Sequence, residues 1–150
     1  MITIRPAVRE DAPSIVDVQK KMAMETENLA LEDEKVIPGV NAVFSDPSKG
    51  KYYVAADGNK VVASMLITKE WSDWRNAWVW WIQSVYVMPG YRRMGVFSRL
   101  YEFVRQELLM QNAAGLRLYV EPGNIAARKT YEDLGMKTGH YLMYEWLRNL

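Results

Sequence analysis

Val85-Tyr-Val-Met-Pro-Gly-Tyr-Arg-Arg-Met-Gly-Val-Phe-Ser98 is the stretch whose reading decides the fold. Its first residues end an apolar, strand-like run, Ala77 to Val87, which Pro89 and Gly90 break. Its last residues open a helix, because Val96, Leu100, Val104 and Leu108 recur at helical spacing. A strand therefore passes into a helix through a short loop that holds Gly95, Arg92 and Arg93. A helix N-terminus offers backbone N–H groups without intrahelical acceptors and a partial positive charge, and glycine admits an anion that a Cβ would hold off. The loop has the chemistry of a phosphate cradle, although a solvated turn with a glycine cap uses the same residues. Neither G-x-x-x-x-G-K-[ST] nor G-x-G-x-x-G occurs, so a P-loop and a dinucleotide fold are unsupported.

Upstream, three strand-like runs, Tyr52 to Ala56, Lys60 to Lys69 and Ala77 to Val87, predict an antiparallel meander, with Asp57-Gly58-Asn59 turning the first hairpin. Asp46 to Gly50 is a turn by composition. A first strand covers Ile2 to Arg5 and stops at Pro6. Asp11 is the expected side-chain cap of a helix that carries Ile15, Val18 and Met22 inward and runs to about Asn28, and a second helix is expected over Asp33 to Phe44. Downstream, Gly115 is the expected C′ residue of the helix begun at Val96, Leu116, Leu118 and Val120 alternate as a strand, and Asn124 caps a helix that Gly135 closes. Tyr141 to Leu147 supplies an expected last strand. The order β, two helices, three strands, helix, strand, helix, strand implies an α+β sheet with helices on its faces.

The 150 residues fit one domain over 1–150. Lys plus Arg number 19 against 18 Asp plus Glu, so no overall field favours nucleic acid or an anionic membrane, and any anion site must be local. With no cysteine and one histidine, His140, disulfides, thiolate metal sites, a multi-His metal centre and a cysteine nucleophile are excluded; His140 reads as a surface or structural residue. The N-terminus lacks the apolar run of a signal peptide, and no apolar stretch approaches the roughly 20 residues of a membrane span, so the cytoplasm is the expected compartment.

Arg92-Arg-Met-Gly-Val-Phe97, after a strand and before a helix, resembles the [QR]-x-x-G-x-[GA] signature of the GNAT superfamily of N-acetyltransferases. Phe97 stands where that family carries a small residue. Asn124-Ile-Ala-Ala-Arg-Lys-Thr-Tyr-Glu-Asp-Leu-Gly-Met136 looks like the family's N-x-x-A-x-x-x-Y-x-x-L-G-[FM] segment. The two matches cover the C-terminal half; the first half agrees in element order. The resemblance implies a mixed, twisted sheet of about six to seven strands with four helices on its faces, whose fourth and fifth strands splay apart around the pantetheine arm of acetyl-CoA. It implies direct attack by a primary amine on the thioester in a ternary complex, the acceptor being a small molecule or a peptide. A noncatalytic acyl-CoA-binding module is the competing reading.

By the same resemblance, Arg92, Arg93, Met94, Gly95, Val96, Phe97 and Ser98 surround the diphosphate, and Val85, Tyr86 and Val87 pair with pantetheine and face the acetyl carbonyl. Asn124, Ala127 and Tyr131 complete the cofactor side, with Tyr131 the donor to the departing thiolate. An amine of ordinary pKa needs help to lose its proton at pH 7. Ala77 to Val87 carries no carboxylate, so the base must come from elsewhere. Glu25 and Glu27, at the end of the first helix in a region that borders the acceptor pocket in the family, and Glu121, after the fifth strand, are the candidates; Glu27 is the choice. Glu70-Trp-Ser-Asp-Trp-Arg75 with Trp78, Trp80 and Trp81 sets acids and indoles on one hairpin, fit either for a cationic amine or for a homodimer contact. Alternation puts Trp78 and Trp80 on one face and Trp81 on the other.

Overall fold

The computed structural model describes residues 1–149. In chain order the elements are β1 (Ile2–Pro6), α1 (Ala12–Glu27), α2 (Asp33–Ser45), β2 (Lys51–Asp57), β3 (Lys60–Ser72), β4 (Ala77–Val87), α3 (Val96–Met110), β5 (Gly115–Arg117) and α4 (Ile125–Asp133). Short 3-10 turns at Arg9–Asp11, Pro47–Lys49 and Pro89–Tyr91 lead into α1, β2 and α3. The sheet runs β1-β2-β3-β4-β5, antiparallel except for the parallel β4–β5 pair. It is mixed, with helices α1 to α4 as expected, but it has five strands rather than six to seven.

The missing strand is Tyr141 to Leu147, which is exposed throughout and has no ladder partner among the described residues. Its apolar, aromatic-rich composition suits a strand, but a strand exists through the hydrogen bonds of a neighbour, and composition supplies none.

Chain contacts divide the described residues into a unit from Met1 to Leu118, which holds the sheet and α1 to α3, and a unit from Tyr119 onward, which holds α4. In the first unit β2 is buried along Tyr52–Ala56 because both its faces are covered. Tyr52 stacks on Phe44 of α2 at 5.7 Å, while Tyr53, on the opposite face by alternation, meets Phe103 of α3 edge-on at 6.0 Å. Ala12, Ile15 and Val16 of α1 and Val40 of α2 pack with Tyr52, Val54 and Val61. At about 25 cal/mol per Å² of apolar surface buried, such packing rather than helix propensity holds these helices in place. The phenol of Tyr53 donates to Glu107 at 2.7 Å, which satisfies its only polar atom in the core.

Two helix ends differ from the sequence expectation. Asp11 does not cap α1 with its side chain; it lies in helical backbone at the end of the 3-10 turn, and its carboxylate faces backwards. There it accepts two bonds from the Arg5 guanidinium, at 2.7 and 3.0 Å, and the Val8 N–H at 2.8 Å. Arg5 chiefly, with Val8, holds the Asp11 carboxyl below its usual range against the opposing effect of burial. Gly115 does not close α3 either. Asn112 does, at φ +56, with Asn112 N–H bonding Leu109 O at 3.2 Å and Ala113 N–H bonding Leu108 O at 3.1 Å. Asn tolerates the left-handed region nearly as well as glycine, so the helix stops earlier and leaves Gly115 to start β5.

Beyond Leu118, Asn124 and Gly135 act as expected. The Asn124 side chain accepts from Ala127 N–H at 3.1 Å. Gly135, at φ +93, closes α4 while Met136 N–H bonds Tyr131 O at 3.0 Å.

Candidate functional site

The site starts with an irregularity in β4. In its pairing with β3, Leu66 faces Ser84 and Ile67 faces Ile82, so Gln83 is an extra residue without a partner position. An extra residue bends its strand. On the other side β4 pairs with β5 only through Val79, Trp80 and Trp81, opposite Gly115, Leu116 and Arg117. From Ile82 to Val87 that edge of β4 has no ladder partner among the described residues. Backbone groups along a strand alternate between its two sides, so part of this segment's N–H and C=O groups point outward and available. Val85, Tyr86 and Val87 lie on this open run.

Directly after it, the 3-10 turn Pro89–Tyr91 folds the chain back, with Met88 N–H bonding Val62 O at 2.9 Å and the Tyr91 phenol donating to Asp57 at 2.8 Å. Arg93 at φ +62 and Gly95 at φ +75 then place two left-handed residues within three, and Gly95 is the N-cap of α3. The cap has no side chain, so the first-turn amides face whatever lies beyond the helix end. A Cβ built on Gly95 would meet nothing within 4 Å; the space next to it is open. Arg93, Met94 and Ser98 are exposed around this mouth, while Val96 is buried and anchors the helix. Phe97 is half-buried and tilts against Tyr101 at 6.2 Å, one turn along α3.

Arg92 is engaged elsewhere than the sequence suggests. Its guanidinium makes a two-pronged pair with Glu25 of α1, at 2.7 and 2.9 Å, and its Nε donates to Val87 O at 2.8 Å. Its plane lies 5.1 Å from the Tyr86 ring, and the Tyr86 hydroxyl donates to the same Glu25 carboxylate. Arg92 first, then Tyr86, hold the Glu25 carboxyl below its usual range. Burial and the Glu25 carboxylate push the Tyr86 phenol up, and Glu25 raises the Arg92 guanidinium. One turn and a half earlier on α1, Gln19 donates to Ser84 at 3.4 Å, so α1 runs along the same face of β4 that carries Tyr86. Arg93, by contrast, makes no salt bridge among the described residues.

Glu27, the chosen base, is exposed at the last position of α1; the structure brings Glu25, two residues earlier, to Tyr86 and Arg92. Glu25 and Glu27 are equal as sequence, since both are acids in one polar turn, and only the distant partner separates them. In the second unit, Glu121 accepts from Gly123 N–H at 2.9 Å, and Tyr131 is half-buried on α4 with its phenol pushed up by desolvation. Asn124 uses its Oδ1 on Ala127 N–H, so one of its two polar atoms is committed to the cap.

On the β3–β4 hairpin Trp80 is buried, with the Lys69 ammonium 5.0 Å from its ring, whereas Trp78 is exposed and packs edge-on against Trp71 at 5.1 Å. Shared alternation did not give shared burial, because Trp78 lies beyond the part of the sheet that the helices cover. Glu70 is paired to Arg117 at 2.6 Å. No group of three or more His, Cys, Asp or Glu side chains suited to a metal ion occurs among the described residues, and no helix there is long and apolar enough to cross a membrane.

The sequence model of the acetyltransferase (GNAT) family matches residues 13–136, a span that includes the open run of β4, the loop, α3 and α4. The chain belongs to this family. Among solved GNAT-fold structures, a possible acetyltransferase from Clostridium difficile 630 is 42% identical, with a TM-score of 0.91 over 100% of this chain and 99% of that one. An aminoglycoside acetyltransferase from an uncultured soil metagenomic sample has a TM-score of 0.81 at 14% identity, covering 98% of this chain and 97% of its own. A ribosomal-protein-alanine N-acetyltransferase from Brucella melitensis biovar Abortus 2308 has a TM-score of 0.79 at 13% identity, covering 99% and 100%. At those identities the last two share the GNAT fold alone. No curated protein matches the chain.

Proposed function

We propose that this GNAT domain moves the acetyl group of acetyl-CoA to a primary amine by direct attack within a ternary complex. One observation carries the reading: the open edge of β4 from Ile82 to Val87 leads, through a loop with a left-handed glycine cap, straight to the N-terminus of α3. The residues fit a CoA-type ligand. The open space at Gly95 and the outward first-turn amides suit a diphosphate, and the exposed Arg93 adds charge to that mouth. The outward backbone groups of Val85 and Tyr86, next to a Val87 carbonyl that Arg92 Nε holds at 2.8 Å, suit an amide-bearing arm that pairs as a strand does. Acetyl-CoA supplies the activated acetyl group.

The protein's own contributions follow from its residues. The β4 backbone aligns the arm and supplies an N–H donor toward the carbonyl. By the family resemblance Tyr131, a half-buried phenol, is assigned the proton for the thiolate that leaves. Phe97 does not block the cradle, because its ring turns along α3 toward Tyr101 and its own amide stays available. A small-molecule or peptide amine is the acceptor, the two kinds that the names of the aminoglycoside and ribosomal-protein acetyltransferases sharing this fold carry.

The test is calorimetric titration of acetyl-CoA, then thiol release against a panel of polyamines, amino acids, aminoglycosides and peptides. Binding with turnover on one class of amine is expected. Binding without turnover would make the chain an acyl-CoA-binding module, and no binding would remove the cradle.

A further inference from the structure

Resting on that reading, we propose that Glu25 is the carboxylate that receives the acceptor's ammonium group, and that Arg92 covers it until the cofactor's diphosphate draws the guanidinium away. Arg92 lies three residues before the cap Gly95, so one side chain belongs at once to the cradle loop and to the Glu25 pair. The pair closes from the far side of the sequence, its members standing 67 positions apart. It ties the end of α1 to the mouth of the cradle.

Three features distinguish this arrangement from a plain structural clasp. Both partners are partly open to solvent, with side-chain exposures of 39% for Arg92 and 42% for Glu25, a setting in which ion pairs are weak and exchange partners readily. A diphosphate bears more charge than one carboxylate and binds guanidinium in the same two-pronged way. Glu25 also sits in the last turn of α1, which carries no basic residue, where the helix dipole disfavours an anion. A carboxylate in that position needs a cation. Once Arg92 has turned toward the cofactor, the remaining cation is the protonated acceptor, and the Tyr86 hydroxyl, donating from the open run of β4, keeps the carboxylate aimed at that strand. Cofactor binding thereby prepares the amine site, which favours binding of cofactor before acceptor. In this scheme Glu25 touches substrate and Arg92 is a positioning residue.

The experiment compares CoA affinity by calorimetry in the parent chain, Glu25→Gln, Arg92→Ala and the double variant. Removing the competing carboxylate is expected to tighten CoA about two- to five-fold, the range for an exposed pair. Arg92→Ala is expected to weaken it, and the double variant to match Arg92→Ala. Unchanged or weaker binding by Glu25→Gln overturns the proposal, as does a gain that persists without Arg92, and both outcomes leave the acetyltransferase reading intact. Failure of the parent to bind CoA overturns both. A second measurement needs no folded variant: the Glu25 carboxyl carbon, followed by NMR in the parent chain, is expected to titrate at higher pH when CoA saturates the protein. n-Butylammonium is then expected to shift that resonance in the CoA complex and not in the free chain. No response in the complex removes Glu25 from the acceptor site.

Discussion

Gly95→Ala separates what the cradle needs from what the fold needs. Gly95 lies at φ +75, and an added Cβ meets no protein atom within 4 Å, so the free protein suffers backbone strain and no clash. A left-handed L-residue costs about 1–2 kcal/mol. For a chain of this length that lowers Tm by about 2–8 °C. The effect on CoA is of another kind, because the new methyl group occupies the open space in which a diphosphate must approach the first-turn amides. Losing one charge-assisted hydrogen bond there, worth about 1.5–3 kcal/mol, weakens binding about 10- to 150-fold. Gly58→Ala is the control. Gly58, in the β2–β3 turn, has φ +60 and likewise nothing within 4 Å, so it takes the same strain away from the cradle. Thermal melts and calorimetric titration of CoA on both variants give the answer. Equal melting losses with an affinity loss confined to Gly95→Ala support the cradle. CoA binding by Gly95→Ala within roughly two-fold of the parent, or an equal affinity loss in both variants, refutes the reasoning.

Tyr131→Phe is expected to lower turnover by about 10²- to 10⁴-fold while CoA affinity stays near the parent's, since the phenol is assigned a proton and not a grip; steady-state kinetics beside calorimetry checks it, and full activity removes the residue from the chemistry. Asp11→Asn is expected to destabilise the chain by about 1–3 kcal/mol in urea melts, because Asp11 is buried and its loss leaves the Arg5 guanidinium and Val8 N–H without their charged acceptor. The same pair sets a pH dependence. The folded carboxyl is held below its unfolded pKa of about 3.9, so its contribution is complete above that pH and vanishes as pH falls through the lower folded value. The stability gap between parent and Asp11→Asn should therefore narrow below about pH 4, and a constant gap would contradict the assignment. Trp71→Ala should cost about 0.5–1.5 kcal/mol through its edge-on contact with Trp78, and no change in stability would make that contact incidental.

What the sequence disclosed and what it hid divide along one physical line. The start of α3, the two-residue turn at Gly58, the Asn124 cap and the Gly135 close were readable because each is decided by neighbours within one helical turn or one hairpin. The misplaced ends have local causes as well, but causes in competition. Asp11 could cap forward or fold back, and the guanidinium of Arg5 drew it back; Asn112 reached the left-handed region before Gly115 could. Tyr141 to Leu147 shows the limit of a strand-like composition, which marks a segment able to pair without naming a partner. Choosing between Glu25 and Glu27 required knowing which of them meets Arg92 and Tyr86, and no period or spacing along α1 encodes a contact made from the far end of β4.

The two halves of the proposed site differ in what builds them, and the difference accounts for how one fold serves unlike acceptors. The cofactor side is almost entirely backbone: an unpaired strand edge made by one extra residue at Gln83, a left-handed glycine and the first turn of a helix. Apart from the arginines of the loop, side chains there leave the amides reachable so long as they turn along the helix, as Phe97 does toward Tyr101. The proposed acceptor side is made of side chains from the end of α1, fastened to the backbone part through Tyr86 and Arg92. Exchange of Glu25 for another residue would leave the strand edge and helix end in place and alter what docks against them. On the proposed reading, the hold on the thioester therefore rests chiefly on main chain and the choice of amine on side chains.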